Sequence, residues 1–327
     1  MNIIAKSFPT PAQVQGRIDS NAFDGIELFV HPSIPLETQK QAIQLARDSF
    51  PVVNFETFYY VPVNDKKEIG CLISTNSGIR DATRRLLETA VELNQGLGIV
   101  NTHFAGCPLL SDEDIVKSPS LDEQLDMIGQ HLAKYYPHVC LENVIPFDAI
   151  ENKAIYSNGC DMTDFARMHQ KFGIPMTLDT AHLAISLQQY ALAVQKAEML
   201  GRMPVAFSPE RLRLGQQVLH QGLMKTWLEQ ISQLPYGAIR NLHFINAQVD
   251  DNGDYRDGYR EFSQQEGRLL DLHQAIPALR NRKDAKYTVA EVVDALYSKT
   301  PDYDKAPEMA QMARELRAEM ARLDASK

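Results

Sequence analysis

Residues 177–182 read Thr177-Leu178-Asp179-Thr180-Ala181-His182. Upstream, "PMTLD" at 175–179 has the make-up of a short strand, and downstream "LAISLQQY" has that of a helix. A charge closing an apolar β run is costly to bury. It makes sense in a core only if other strands end the same way. They do: "HVCLEN" at 138–143 carries Glu142, "AIRNLHF" at 238–244 carries His243, and "YTVAEV" at 287–292 carries Glu291.

Four further β-type runs precede these, at Asn2–Ser7, Gly25–Val30, Val52–Phe58 and Gly98–Phe104. Segments of helical spacing separate the runs, at 37–48, 79–95, 120–135, 162–171, 183–199, 267–279 and 306–323. Ser120 opens one of them. Asp161 opens another, with Asp164 three residues on and Gly173 as its stop. Alternating strands and helices predict a parallel α/β fold, and eight strands match a closed (β/α)8 TIM barrel. The rival is an open doubly wound sheet. It calls for a glycine-rich phosphate turn, and neither GxGxxG nor GxxxxGK[ST] occurs. With no linker or low-complexity segment, residues 1–327 read as a single domain.

Two stretches exceed ordinary loop length. Gly201–Pro235 is helical in composition and holds Trp227, which predicts a helical insert before strand 7. Asn246–Gly267 is polar and rich in Gly and Asp, which predicts a long loop after strand 7, over the face where barrel sites are built.

Side chains of a strand alternate between its two faces. With Glu142, Asp179, His243 and Glu291 inward, the outward residues are Val139, Leu141, Met176, Leu178, Leu242, Phe244, Ala290 and Val292. All are apolar, as helix-covered strands require. The four polar residues then meet at one end of the barrel. Singly, each has an ordinary reading, a solvated rim glutamate or a satisfied core histidine; the joint pattern carries the expectation. Three carboxylates in one cavity raise each other's pKa, and burial adds to it. One divalent metal ion removes the conflict. Three carboxylates and an imidazole suit Mn2+, Mg2+, Co2+, Fe2+ or Zn2+ and leave coordination positions open for substrate or water. His182 is either a partner of these ligands or a proton donor, or simply a helix N-terminal residue. His103, inward on strand 4, is either an extra ligand or a substrate contact, and Glu27 on strand 2 is a candidate buried partner for a cation.

The net charge of −9 disfavours nucleic acid as a partner. The basic spots "RDATRR" at 80–85 and "RNRK" at 280–283 read as solvated helix faces or ends. Cys71, Cys107, Cys140 and Cys160 form no CxxC pair. The N-terminal stretch lacks a basic region followed by a long apolar one, and no run approaches the ~20 apolar residues of a membrane span. A cytoplasmic protein without a membrane partner is the expectation. The stripe Met309, Met312, Leu316, Met320 and Leu323 reads as a covering helix packed on the barrel, with a partner site as its alternative. The 201–235 insert is a candidate surface for a homo-oligomer.

The segments "FDGIEL" (23–28), "NTHFAG" (101–106), "CLENV" (140–144), "TLDTAH" (177–182), "NLHFIN" (241–246) and "VAEVV" (289–293) resemble the xylose-isomerase-like TIM barrel superfamily. That superfamily includes sugar isomerases, ketose 3-epimerases, inosose dehydratases, hydroxypyruvate isomerases and endonuclease IV. The resemblance implies metal ligation by Glu142, Asp179, His243 and Glu291. His182 matches the histidine that follows the strand 6 aspartate. Endonuclease IV holds three zinc ions with extra histidines. Here "NFETFYYVP" has none, and Asp257-Gly258-Tyr259 replaces Asp-x-His. The isomerases' HxxD-like ending of strand 7 is replaced at Asn246.

The expected activity is a metal-dependent sugar isomerase or epimerase, acting on a ketose or a related polyol ketone through an enediolate. Glu142 and Glu291 would be acid and base, with His182 assisting. His103, Glu27, Asn246, Arg256 and Arg260 would contact a small-molecule substrate. A dehydratase or lyase, a hydrolase, and a non-catalytic metal-binding barrel are the alternatives.

Overall fold

The computed structural model describes residues 2–103, 121–150, 153–156, 161–196, 208–249, 255–257, 268–290 and 306–325. In chain order the first half comprises β1 (Asn2–Ser7), α1 (Pro11–Asp19), β2 (Gly25–Val30), α2 (Leu36–Ser49), β3 (Val53–Thr57), β4 (Tyr60–Val63), β5 (Lys66–Ile69), α3 (Ser77–Asn94), β6 (Val100–Thr102) and α4 (Leu121–Leu132). The middle comprises β7 (Val139–Glu142), β8 (Phe147–Ile150), β9 (Lys153–Tyr156), α5 (Met162–Phe172), β10 (Met176–Asp179) and α6 (Thr180–Gln195). The rest comprises α7 (Pro209–Gln221), α8 (Leu223–Gln233), β11 (Ile239–Phe244), β12 (Ala247–Val249), β13 (Tyr255–Asp257), α9 (Leu272–Arg280), β14 (Tyr287–Ala290) and α10 (Ala306–Ala325).

Strands β1, β2, β3, β6, β7, β10, β11 and β14 form a closed barrel, and β14 returns to pair with β1. Every neighbour is parallel. These are the eight strands expected from the sequence, in the order a (β/α)8 barrel demands. Within the described residues the outward set falls where alternation puts it; Val292 lies outside them. Val139, Leu141, Met176, Leu178, Leu242, Phe244 and Ala290 all join the hydrophobic core shared with the helices. Met309, Met312 and Leu316 of α10 join the same core, and Met320 and Leu323 pack against it, so the C-terminal stripe covers the barrel.

Local chemistry sets the helix ends. Asp161 caps α5, accepting from the amides of Thr163 and Asp164, and Gly173 ends it at φ 71°, where a side chain would be strained. Two expected boundaries shift for the same kind of reason. The helix read at 183–199 begins at Thr180, because Asp179 ends its strand and caps the helix at once. The one read at 267–279 begins at Leu272, because Asp271 caps there. The short α1 was not foreseen. Its apolar stripe is thin, although Thr10 and Pro11 mark its start.

Three antiparallel hairpins follow barrel strands: β4–β5 after β3, β8–β9 after β7 and β12–β13 after β11. None was read from the sequence. The first turns on Asn64 and Asp65, both at positive φ, the backbone of a two-residue hairpin loop. The insert before the seventh barrel strand is helical in its described part, α7 and α8. Gly215 of α7 crosses α6 so closely that a Cβ there would lie 2.3 Å from the carbonyl oxygen of Tyr190. Among the described residues, no helix is long and apolar enough to cross a membrane. Cys71 and Cys140 are buried free thiols; Cys107 and Cys160 lie outside the described residues.

Two buried polar groups make the fold testable. Arg211 of α7 is 1% exposed, and its Nε lies 3.1 Å from Asp161 while its other arm meets Asp164. Arg211→Met strands two inward carboxylates, so denaturant unfolding should show a loss of about 3–5 kcal/mol. A loss below about 1 kcal/mol would show that the pair is solvated. His31 packs on Phe58 with ring centroids 4.1 Å apart, and its Nδ1 accepts from the amide of Ser33. Burial first, and Lys67 second, lower its pKa from 6.5 to about 4. The unfolded chain therefore takes up a proton that the folded one refuses. The stability due to neutral His31 is complete above pH 6.5 and is lost progressively as pH falls toward 4, by up to about 3 kcal/mol. His31→Phe should flatten that part of the stability curve; an unchanged curve would place the titration elsewhere.

Candidate metal centre

The barrel interior is polar. By strand parity its lining includes Lys6, Glu27, Asn54, Glu56, Asn101, His103, Cys140, Glu142, Thr177, Asp179, Asn241 and His243. Of the carboxylates, Glu27 is fully buried, Glu56 and Glu142 are 1% exposed and Asp179 is 2% exposed.

Asp179 shows how "TLDTAH" works. Its backbone is held from the neighbouring strand end by Asn143. The Asn143 Oδ1 accepts from the Asp179 amide at 2.7 Å, and Nδ2 donates to the Asp179 carbonyl at 3.0 Å. Oδ1 of Asp179 accepts from the backbone N–H of His182 at 2.7 Å, while Oδ2 lies 3.8 Å from His182 Nδ1. The three-residue spacing is thus that of a helix cap. His182 Nδ1 is 2.8 Å from the Asn143 carbonyl oxygen, which favours a proton on that nitrogen. Behind the turn, the Thr180 hydroxyl donates to the Ile245 carbonyl at 2.6 Å and accepts from the Ile245 amide at 3.1 Å. Trp227 of the insert donates to the Thr180 carbonyl at 3.3 Å.

His243 lies between two glutamates. Its Nδ1 is 3.2 Å from Glu142 Oε2, and its Nε2 is 2.8 Å from Glu27 Oε1. Glu142 also takes the Asn101 amide on Oε2, and His103 Nε2 lies 3.1 Å from its Oε1. His103 Nε2 is in turn 3.4 Å from Glu56 Oε1. On the far side Lys6 Nζ is 2.7 Å from Glu56 Oε2. Burial raises the pKa of Glu142, but His103 and His243 together reverse this and hold it well below the usual carboxylate range. Burial pushes Glu56 up to about 8, against the pull of Lys6 and His103. Burial lowers His103, but Glu142 and Glu56 more than compensate and its pKa ends raised. The Cys140 thiol is driven up to about 12, chiefly by burial, which makes it an inert packing group.

Glu142, Asp179 and His243, expected to meet, do meet: one ligand atom from each lies within 4.8 Å of the others. Two more such groups overlap with it, Glu56–His103–Glu142 and Glu27–Glu56–His243. The donor set of carboxylate oxygens plus imidazole nitrogen fits a divalent ion of the Mn2+, Co2+, Zn2+ type. Glu291 follows Ala290, the last described residue of β14, and Arg260 lies in 258–267, so both fall outside the described residues. Arg256 is placed on β13 opposite Gln248 by its backbone alone. Glu27 and Asn246, expected as substrate contacts, have partners within the chain. Glu27 engages His243 and accepts from Asn241 Nδ2 at 3.1 Å. Asn246 binds the Leu270 and Ala247 backbone. Lys6 and Glu56 were not singled out from the sequence, although the parity that found Glu142 finds them too.

No protein-family model matches the chain, and no curated protein matches its sequence. Solved structures do match its fold. A xylose isomerase domain protein from Alicyclobacillus acidocaldarius is 14% identical, with 98% of each chain covered and a TM-score of 0.55. Endonuclease IV from Thermus thermophilus is 13% identical, covering 99% of this chain and 100% of that one, with a TM-score of 0.52. The TTHB071 protein of the same organism, from crystals soaked in zinc chloride, is 14% identical over 98% and 99%, with a TM-score of 0.52. The chain shares the fold of xylose isomerase-like and endonuclease IV TIM barrels.

Proposed function

We propose that this protein is a divalent-metal-dependent enzyme that isomerises or epimerises a small hydroxylated carbonyl compound, such as a ketose or polyol ketone. The observation that carries the reading is the convergence of Glu142, Asp179 and His243, from the C-terminal ends of three adjacent strands, within 4.8 Å. Glu291, the next polar strand end in sequence, completes the proposed ligand set. The structural relatives named for xylose isomerase and endonuclease IV support an enzyme on this fold. The net charge of −9 and the near-complete burial of the three groups favour a small substrate over a polyanion such as DNA.

When bound, a divalent ion supplies a Lewis acid that polarises a carbonyl and eases proton loss from the adjacent carbon. The chain's own residues do the rest. Glu142, held as the carboxylate by His103 and His243, accepts the α-proton, and Glu291 returns it. His103, partly exposed, donates to a substrate oxygen, and His182, with its proton on Nδ1, accepts from a substrate hydroxyl at Nε2. Glu27 fixes the His243 ring from behind, presenting Nδ1 to the site; such a partner orients a ligand and raises its basicity.

Protein purified without chelator or affinity tag should carry about one divalent ion per chain by mass spectrometry, and Glu142→Ala and His243→Ala should lose it. Absence of any ion after incubation with manganese, cobalt or zinc sinks the proposal. Incubation with ketoses in deuterated solvent should place deuterium on the carbon beside the carbonyl, and Glu142→Gln should slow this by roughly 100-fold or more. A product that has lost a hydroxyl would reassign the reaction to a dehydratase.

A further inference from the structure

We infer that Lys6 is a built-in cation that fills the glutamate-rich side of the barrel interior and limits the site to a single divalent ion, held by Glu142, Asp179 and His243. The inference rests on the proposed metal reading and goes beyond it, since it concerns how many ions the barrel admits and which residue sets that number.

Among the described residues, three overlapping groups of ligand atoms occupy the interior. Two of them contain Glu56, and one of those also contains Glu27. Only the group of Glu142, Asp179 and His243 contains neither. Lys6 holds the glutamate that both of these groups share. Its Nζ is 2.7 Å from Glu56 Oε2, and its register partner on β2 is Glu27. The side chain is 2% exposed and its ammonium lies 4.7 Å from the Phe29 ring centroid. A lysine fixed this way does not swing out to water when a competing cation arrives.

A metal ion in either Glu56-containing group would have to share that carboxylate with the ammonium. Like charges a few ångströms apart in a low-dielectric interior repel strongly. The alternative is to expel a buried lysine from its carboxylate and its aromatic contact. The basic groups beside the remaining group are His103 and His182, which can each release a proton to make way for a metal ion, as a buried lysine does not. Lys6 thereby acts as a specificity residue for metal number, although it ligates no metal itself.

The test is metal stoichiometry. Wild type, Lys6→Ala and Lys6→Ala/Glu56→Gln are saturated with Co2+ or Zn2+, passed through a desalting column and measured by mass spectrometry, with circular dichroism reporting folding. The expected result is about one ion in wild type, about two in Lys6→Ala and about one again in the double variant. A folded Lys6→Ala that still holds about one ion overturns the inference and leaves the proposed metal site intact. Two ions in wild type also overturn it. No ion in wild type removes the metal reading and this inference together. If Lys6→Ala does not fold, Lys6→Gln removes the charge with less loss of volume, and the same counts decide.

Discussion

Mutual repulsion among buried carboxylates is the constraint around which this barrel is arranged. Glu27, Glu56, Glu142 and Asp179 all lie inside it with almost no solvent contact. Left alone, such groups would protonate or pull water into the interior. Each has a dedicated neighbour, although Glu56, pushed up to about 8 by burial, keeps its proton at neutral pH beside Lys6. Glu56 has Lys6, Glu142 has His103, His243 and Asn101, Glu27 has Asn241 and His243, and Asp179 sits at the N-terminus of α6, where the helix dipole favours negative charge. TIM barrel interiors are ordinarily filled by branched apolar residues. Here that packing role passes to the shell between strands and helices, where the main hydrophobic core lies. The shell carries the fold, and the interior holds the polar network.

Within the interior, His243 joins two electrostatic halves. One nitrogen faces Glu27, beside the Lys6–Glu56 pair, and the other faces Glu142. The ring cannot turn without giving up both contacts. Glu142 is the second hinge of the network, since His103 bridges from it to Glu56. The consequence is preorganisation: ligand directions are set by contacts that already exist in the folded chain.

Much of this was legible from periodicity. All eight barrel strands, the caps at Asp161 and Gly173, and the meeting of Glu142, Asp179 and His243 follow from alternation and from strand order. The same alternation points Lys6 and Glu56 inward. In sequence nothing marks them: Lys6 is not a metal-ligating residue type, and Glu56 lacks the neighbouring run of polar strand ends that marks Glu142. The hairpins escaped because β4–β5 carries its turn in an Asn-Asp pair and the other two have short strands with no clear alternation. The internal partners of Glu27 and Asn246 were not legible either. Sequence places a residue at a strand end but does not name the neighbour it meets there. Glu27 found His243, and Asn246 found the backbone of Leu270.

The insert helices gain significance from a single indole. Trp227 of α8 is fully buried and donates to the carbonyl of Thr180, the first residue of α6, next to Asp179. A segment that in sequence looks like an ornament between two barrel strands is therefore a buttress for the aspartate-bearing turn. Trimming this chain toward a minimal eight-unit barrel would not merely shorten it. The cut would remove the back wall against which that turn is braced, so in this molecule loop length and the rigidity of the candidate metal centre are not independent design variables.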